Sequence, residues 1–109
     1  MGIQYKVLGQ ANPAATTWTP LLSLPTATQA ILSTLSVCNF GSSPTTFSVA
    51  VCVANAAVSN TTLLYGTLTI PNNDTFLATM GITLGANDVV NVYAGNANLA
   101  FQVFGQEVS

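Results

Sequence analysis

From Phe47 to Ala54 the chain alternates with a period of two. Phe47, Val49, Val51 and Val53 fall on one side of an extended segment, and Ser48, Ala50, Cys52 and Ala54 on the other. The same period puts Phe76, Ala78, Met80, Ile82 and Leu84 on one face of a second segment. Turn-forming clusters separate such segments: Gly41-Ser42-Ser43-Pro44, Pro71-Asn72-Asn73, Gly85-Ala86-Asn87 and Gly95-Asn96-Ala97-Asn98. The pattern predicts strands over Gln4–Gln10, Trp18–Leu24, Gln29–Phe40, Thr45–Ala54, Thr61–Ile70, Asp74–Leu84, Asp88–Ala94 and Leu99–Val108. No segment carries a helical period; Thr26–Leu35 comes nearest, and its Ser and Thr spacing suits a strand better. The expected fold is one all-β domain, an antiparallel β-sandwich of about eight strands with jelly-roll or immunoglobulin-like connections.

Two details sharpen this picture. Pro20 cannot donate to a strand ladder, so the second strand belongs at a sheet edge. The third and eighth strands read as apolar on both faces. In the third, Ile31, Leu35 and Val37 point one way and Leu32, Cys38 and Phe40 the other. In the eighth, Leu99, Phe101 and Val103 oppose Gln102, Phe104 and Gln106. Such strands are central in a sheet or covered by a neighbour. With no helix to cover them, the pattern points to a partner subunit.

Charge narrows the function. Among 109 residues only Lys6, Asp74, Asp88 and Glu107 are charged, and there is no histidine. Typical soluble domains carry roughly 25% charged residues; this chain carries 4%. A chain of this mass exposes on the order of 5,700 Å², so the surface must be mostly Thr, Ser, Asn, Gln and Ala. Copies with such a surface repel one another weakly, which suits an assembly. One lysine cannot neutralise a phosphate backbone or an anionic lipid surface, so neither nucleic acid nor membrane is an expected partner. No apolar run reaches membrane-spanning length, and Met1–Lys6 lacks the charged leader and long apolar run of a signal peptide.

Chemistry finds little to stand on. Nucleophilic catalysis needs a base beside the nucleophile, and Cys38 and Cys52 have no histidine to serve them. The three acids sit beside expected turns or the chain end, where Asp bonds local backbone N–H groups. No enzyme activity, cofactor or metal site is expected. If Gly41–Pro44 tips a hairpin, Cys38 and Cys52 lie more than about 10 Å apart, beyond disulfide reach, and remain free thiols. Trp18, Tyr5, Tyr65 and Tyr93 are expected to pack in the core or an interface. Recognition of a host-surface glycan through Trp18 or the tyrosines is a different class of function that these aromatics permit.

Three stretches carry a resemblance. They are Met1-Gly2-Ile3-Gln4-Tyr5-Lys6-Val7-Leu8-Gly9-Gln10 with Asn12-Pro13, Ser33-Thr34-Leu35-Ser36-Val37-Cys38-Asn39, and Leu84–Tyr93 continued by Asn98–Glu107. Together they resemble small virion proteins of tailed bacteriophages, particularly phages of cyanobacteria and marine bacteria. The resemblance implies a β-sandwich virion component assembled in the host cytoplasm. Within that class a capsid decoration (cement) protein is favoured, bound in many copies to the outer head surface, often as trimers. The alternative is a small tail, baseplate or fibre-associated module. The expected partners are copies of the chain itself and the major capsid protein or tail proteins. Phe104, Gln102, Trp18 and Phe40 are the residues expected at the contacts.

Four charges leave little to screen, so association is expected to be apolar. Raising salt to about 1 M, where the Debye length is about 3 Å, should leave the assembly intact in sedimentation. Dissociation on adding salt would contradict an apolar interface.

Overall fold

The structure, a computed structural model, describes residues 2–108 apart from the Met80 side chain. Eight strands follow one another: β1 (Ile3–Ala11), β2 (Thr19–Ser23), β3 (Gln29–Asn39), β4 (Thr45–Cys52), β5 (Leu63–Ile70), β6 (Thr75–Leu84), β7 (Val89–Ala94) and β8 (Leu99–Val108). The fourth strand stops two residues earlier than its alternation predicts. A 3-10 turn at Val53–Asn55 follows it, with Ala54 and Asn55 in the left-handed region. The turns after β5 and β6 use Asn73 and Asn87 at positive φ, a conformation Asn tolerates well.

The strands form two four-stranded sheets, ordered β1-β8-β3-β6 and β2-β7-β4-β5. Every observed pair is antiparallel. β1 pairs with β8, β2 with β7, β3 with β6 and β4 with β5, so the chain is a long hairpin folded over on itself. Apart from β4–β5, each consecutive pair of strands lies in opposite sheets. That is the jelly-roll arrangement. The immunoglobulin alternative keeps more sequential neighbours within one sheet. Pro20 lies on an edge strand, as its missing N–H requires.

The hairpin expected at Gly41–Pro44 is absent. β3 and β4 belong to different sheets, and residues 40–44 carry the chain across the end of the sandwich. Both cysteines are free. The separation that keeps them apart is therefore between sheets, with Cys38 opposite Thr75 and Ala100, and Cys52 opposite Val89.

The third strand also differs from its expected faces. Its register shifts between Leu32 and Thr34 against both neighbours. The irregularity at Ser33 changes which parity faces inward. Ala30 and Leu32 before it, and Leu35, Val37 and Asn39 after it, all point into the core. The strand that read as apolar on both faces has one core face, and only Ile31 and Cys38 among its apolar residues turn outward. Phe40 lies beyond its end, exposed.

Between the sheets, Phe47 meets Phe101 at 6.1 Å and Phe76 at 5.2 Å, surrounded by Leu32, Leu35, Leu99, Val49, Val92 and Val103. On β6, Phe76, Ala78, Ile82 and Leu84 turn inward as expected; the Met80 side chain lies outside the described residues. Asn39 is fully buried at the end of β3 and fastens the crossing. Its Nδ2 donates to the carbonyls of Ser43 (3.0 Å) and Ile70 (3.3 Å), and its Oδ1 accepts from the Gly41 N–H (3.0 Å). One amide thus ties the β3–β4 loop to the end of β5. Asn39→Ala strands an N–H and two carbonyls, and should lower unfolding free energy by about 1–3 kcal/mol in denaturant titration. A change under about 0.5 kcal/mol would show that the clamp is not structural.

Candidate functional site

The outward side chains of β1-β8-β3-β6 can be read from the registers. Phe104 of β8 sits between Val7 of β1 and Thr34 of β3, and Gln106 between Tyr5 and Ile31. Gln102 lies between Gln10 and Ser36. Ser36 is paired in turn with Leu77 of β6, and Thr34 with Thr79. The Gln10 side chain donates to Gln102 at 3.2 Å across the strands. Ile3, Tyr5, Val7, Ile31 and Leu77 are all exposed here, Tyr5 at 80% and Leu77 at 67%. Most of the large apolar side chains exposed among the described residues therefore share one sheet face.

Among the described residues no charged residue takes the outward register of this face. Lys6 and Glu107 fall on the other parity of β1 and β8, joined by a 3.3 Å ion pair. Asp74 and Asp88 are in turns. Asp88 is buried and accepts from the Ala54 N–H (2.9 Å) and the Gly85 N–H (2.8 Å); Asp74 accepts from the Thr75 N–H (2.8 Å). These acids organise loops, as their positions beside turns predict.

Phe104 occupies a bent part of the sheet. Register shifts at Val7/Gly9 on β1 and Leu32/Thr34 on β3 flank it on both sides. The Ser33 hydroxyl donates to the Phe104 carbonyl at 3.2 Å. Gly105 lets β3 approach closely, because a Cβ there would run into the Ile31 carbonyl. Beside these shifts lies a shallow, open groove of about 350 Å³ lined by Tyr5, Lys6, Ile31, Ser33, Phe104, Gly105 and Gln106. A second depression, about 330 Å³, lies around Gln10, Asn12 and Gln102 farther along the same two strands.

The opposite outer face is covered in part, and its edge strand β5 leaves Leu63 and Leu64 exposed. On β2-β7-β4-β5 a small second cluster of Ala50, Cys52 and Val89 is packed by Trp18 from the β1–β2 loop and Val58 from the β4–β5 loop. Trp18 also packs against Tyr93, with ring centroids 5.3 Å apart and planes tilted by 51°. The four contact residues expected from sequence therefore do not form one surface. Phe104 and Gln102 share the bare face, Trp18 holds a loop on the far side, and Phe40 stands at one end of the sandwich. Tyr5, already expected in the core or an interface, completes the bare face with Val7, Ile31 and Leu77, which were not among the expected contact residues. Their alternation along β1, β3 and β6 was visible, but which parity faces out depends on the irregularity at Ser33.

Among the described residues no cluster of metal-binding side chains occurs, and no helix is long and apolar enough to cross a membrane. Comparison with protein-family models, with curated proteins and with solved structures finds no match.

Cys38 is half-buried on the bare face, and Cys52 is buried beneath the loops. In the dispersed, folded protein a thiol reagent should modify Cys38 first, and Cys52 only on unfolding. Equal rates for the two thiols in the folded state would contradict this placement.

Proposed function

We propose that this chain is a structural assembly module whose outer β1-β8-β3-β6 face docks against other subunits. We place it in the virion of a tailed bacteriophage, as a capsid decoration protein on the outer head surface. The observation that carries the reading is the contrast between the two outer faces. One is partly covered by its own loops and exposes Leu63 and Leu64 on its edge strand; the other presents Ile3, Tyr5, Val7, Ile31, Leu77 and Phe104 with no loop over them and no charged residue in outward register. Contiguous exposed apolar patches on small proteins mark interaction surfaces. Aromatic anchors without charge at the centre are the usual composition of an interface core.

The rest of the molecule supports the same reading. With one ion pair joining Lys6 to Glu107, long-range electrostatics can neither steer nor repel a partner strongly. Jelly rolls serve viral capsid and lectin domains, among others. The virion setting rests on the sequence resemblance, since a fold alone does not assign function. A tail or baseplate position would use the same face. A glycan reading has less support, because Trp18 packs against Tyr93 and is engaged in holding its loop.

Phe104→Asp tests the face. The side chain points away from the subunit core, so unfolding free energy should change by less than about 1 kcal/mol. Desolvating the new carboxylate in the contact costs several kcal/mol, so sedimentation at micromolar concentration should shift to smaller species. Unfolding of the variant, or a sedimentation profile identical to that of the parent, would overturn the reading. In purified particles the protein should be present in stoichiometric amounts.

A further inference from the structure

Each sheet has two edges, and three of the four edge strands carry features that discourage further pairing. β1 bears Lys6 and a register shift beside Gly9. β2 is five residues long, with Pro20 and a register shift of its own. β5 is broken by two shifts and holds Thr67 at a φ of 54°, a strained value for a β-branched residue. β6 differs. From Thr75 to Thr79 it runs against β3 in unbroken register, Thr75 with Cys38 through Thr79 with Thr34. This stretch has no charge and no proline, and β6 is the last strand of its sheet, so its far side has no strand to bond.

We infer that β6 pairs antiparallel with β6 of a second copy about a two-fold axis at Leu77, joining two four-stranded sheets into one of eight strands. The sequence is complementary to itself in this register. Leu77 meets Leu77, and Thr75 meets Thr79 on each side, which places Thr–Thr pairs around a Leu–Leu pair on the outer face. On the inner face Phe76 meets Ala78, large against small. Phe76 is already ordered by Phe47 at 5.2 Å and Tyr65 at 5.6 Å. The charge next to the strand selects the direction. Antiparallel pairing puts the two Asp74 residues at opposite ends, roughly 20 Å apart along the ladder, whereas parallel pairing sets them side by side. A two-fold contact uses the same patch on both copies, so it needs no second surface. The joined sheet also extends the uncharged outer face without a break. Leu77 stands where the edge contact meets the docking face, but Phe104 does not reach the edge: it lies on β8, and β3 stands between β8 and β6.

The test is carried out in the Phe104→Asp background, which removes face contacts. That variant should sediment as a dimer. Adding Leu77→Lys, or adding Leu77→Glu, places like charges opposite one another and should weaken pairing about tenfold or more, giving a monomer. Mixing the Lys and Glu proteins in equal amounts should restore the dimer, because the two charges then face each other. Restoration on mixing cannot come from a folding defect. A monomeric Phe104→Asp protein, a Leu77 variant that still dimerises alone, or a mixture that stays monomeric would each overturn the edge pairing. A Phe104→Asp protein that assembles as fully as the parent would instead overturn the docking face.

Discussion

The structure depends on the pairing of strands far apart in sequence, above all on β8 lying between β1 and β3. Without β8 the first sheet is two fragments, and Leu99, Phe101 and Val103 leave the core. These residues face Phe47, Val49 and Val92 from the second sheet, so closing one sheet creates the surface on which the other packs. Loop-closure entropy must be lost before such contacts form. The devices that lower the cost are local: Asn39 holding the β3–β4 crossing, Asp88 holding the Gly85 turn to the β4–β5 loop, and Asn residues in the left-handed turn positions.

The same central strand sets up the outer face. Because β8 alternates without a shift and both its neighbours are shifted beside Phe104, the sheet bends there, and Phe104 is framed by Tyr5, Ile31 and Ser33. Gly105 is needed inside the bend, and Gly9 plays a similar part on β1, where a Cβ would meet the Leu21 carbonyl. Packing inside the sandwich and the shape of its bare face are therefore consequences of one set of strand irregularities.

Much of this was readable from period and punctuation. The alternation at Phe47–Val51, the inward residues of β6 and the two faces of β8 needed only the period of two, and Pro20 marked an edge. What stayed hidden has physical causes. Gly41–Pro44 announces a reversal, but a turn cluster does not say whether the next strand pairs with the last or crosses to the other sheet. A bulge adds one residue to a strand and leaves no mark in composition, so β3 read as apolar on both sides. Asn39 looked like one polar residue among many, since its burial depends on where the loops meet. The contact residues divided for the same reason: Phe104 and Gln102 share a strand face, while Trp18 was sent to the far side by the course of its loop.

The central claim is that the bare face is covered in the working protein. Hydroxyl-radical footprinting of the protein, dispersed and assembled, reads that directly through Tyr5, Phe104, Phe40 and Tyr93. The account predicts that Tyr5 and Phe104 are oxidised in the dispersed protein and protected on assembly, with Tyr93 unchanged. Protection of Tyr93 or Phe40 with Tyr5 still reactive would contradict it.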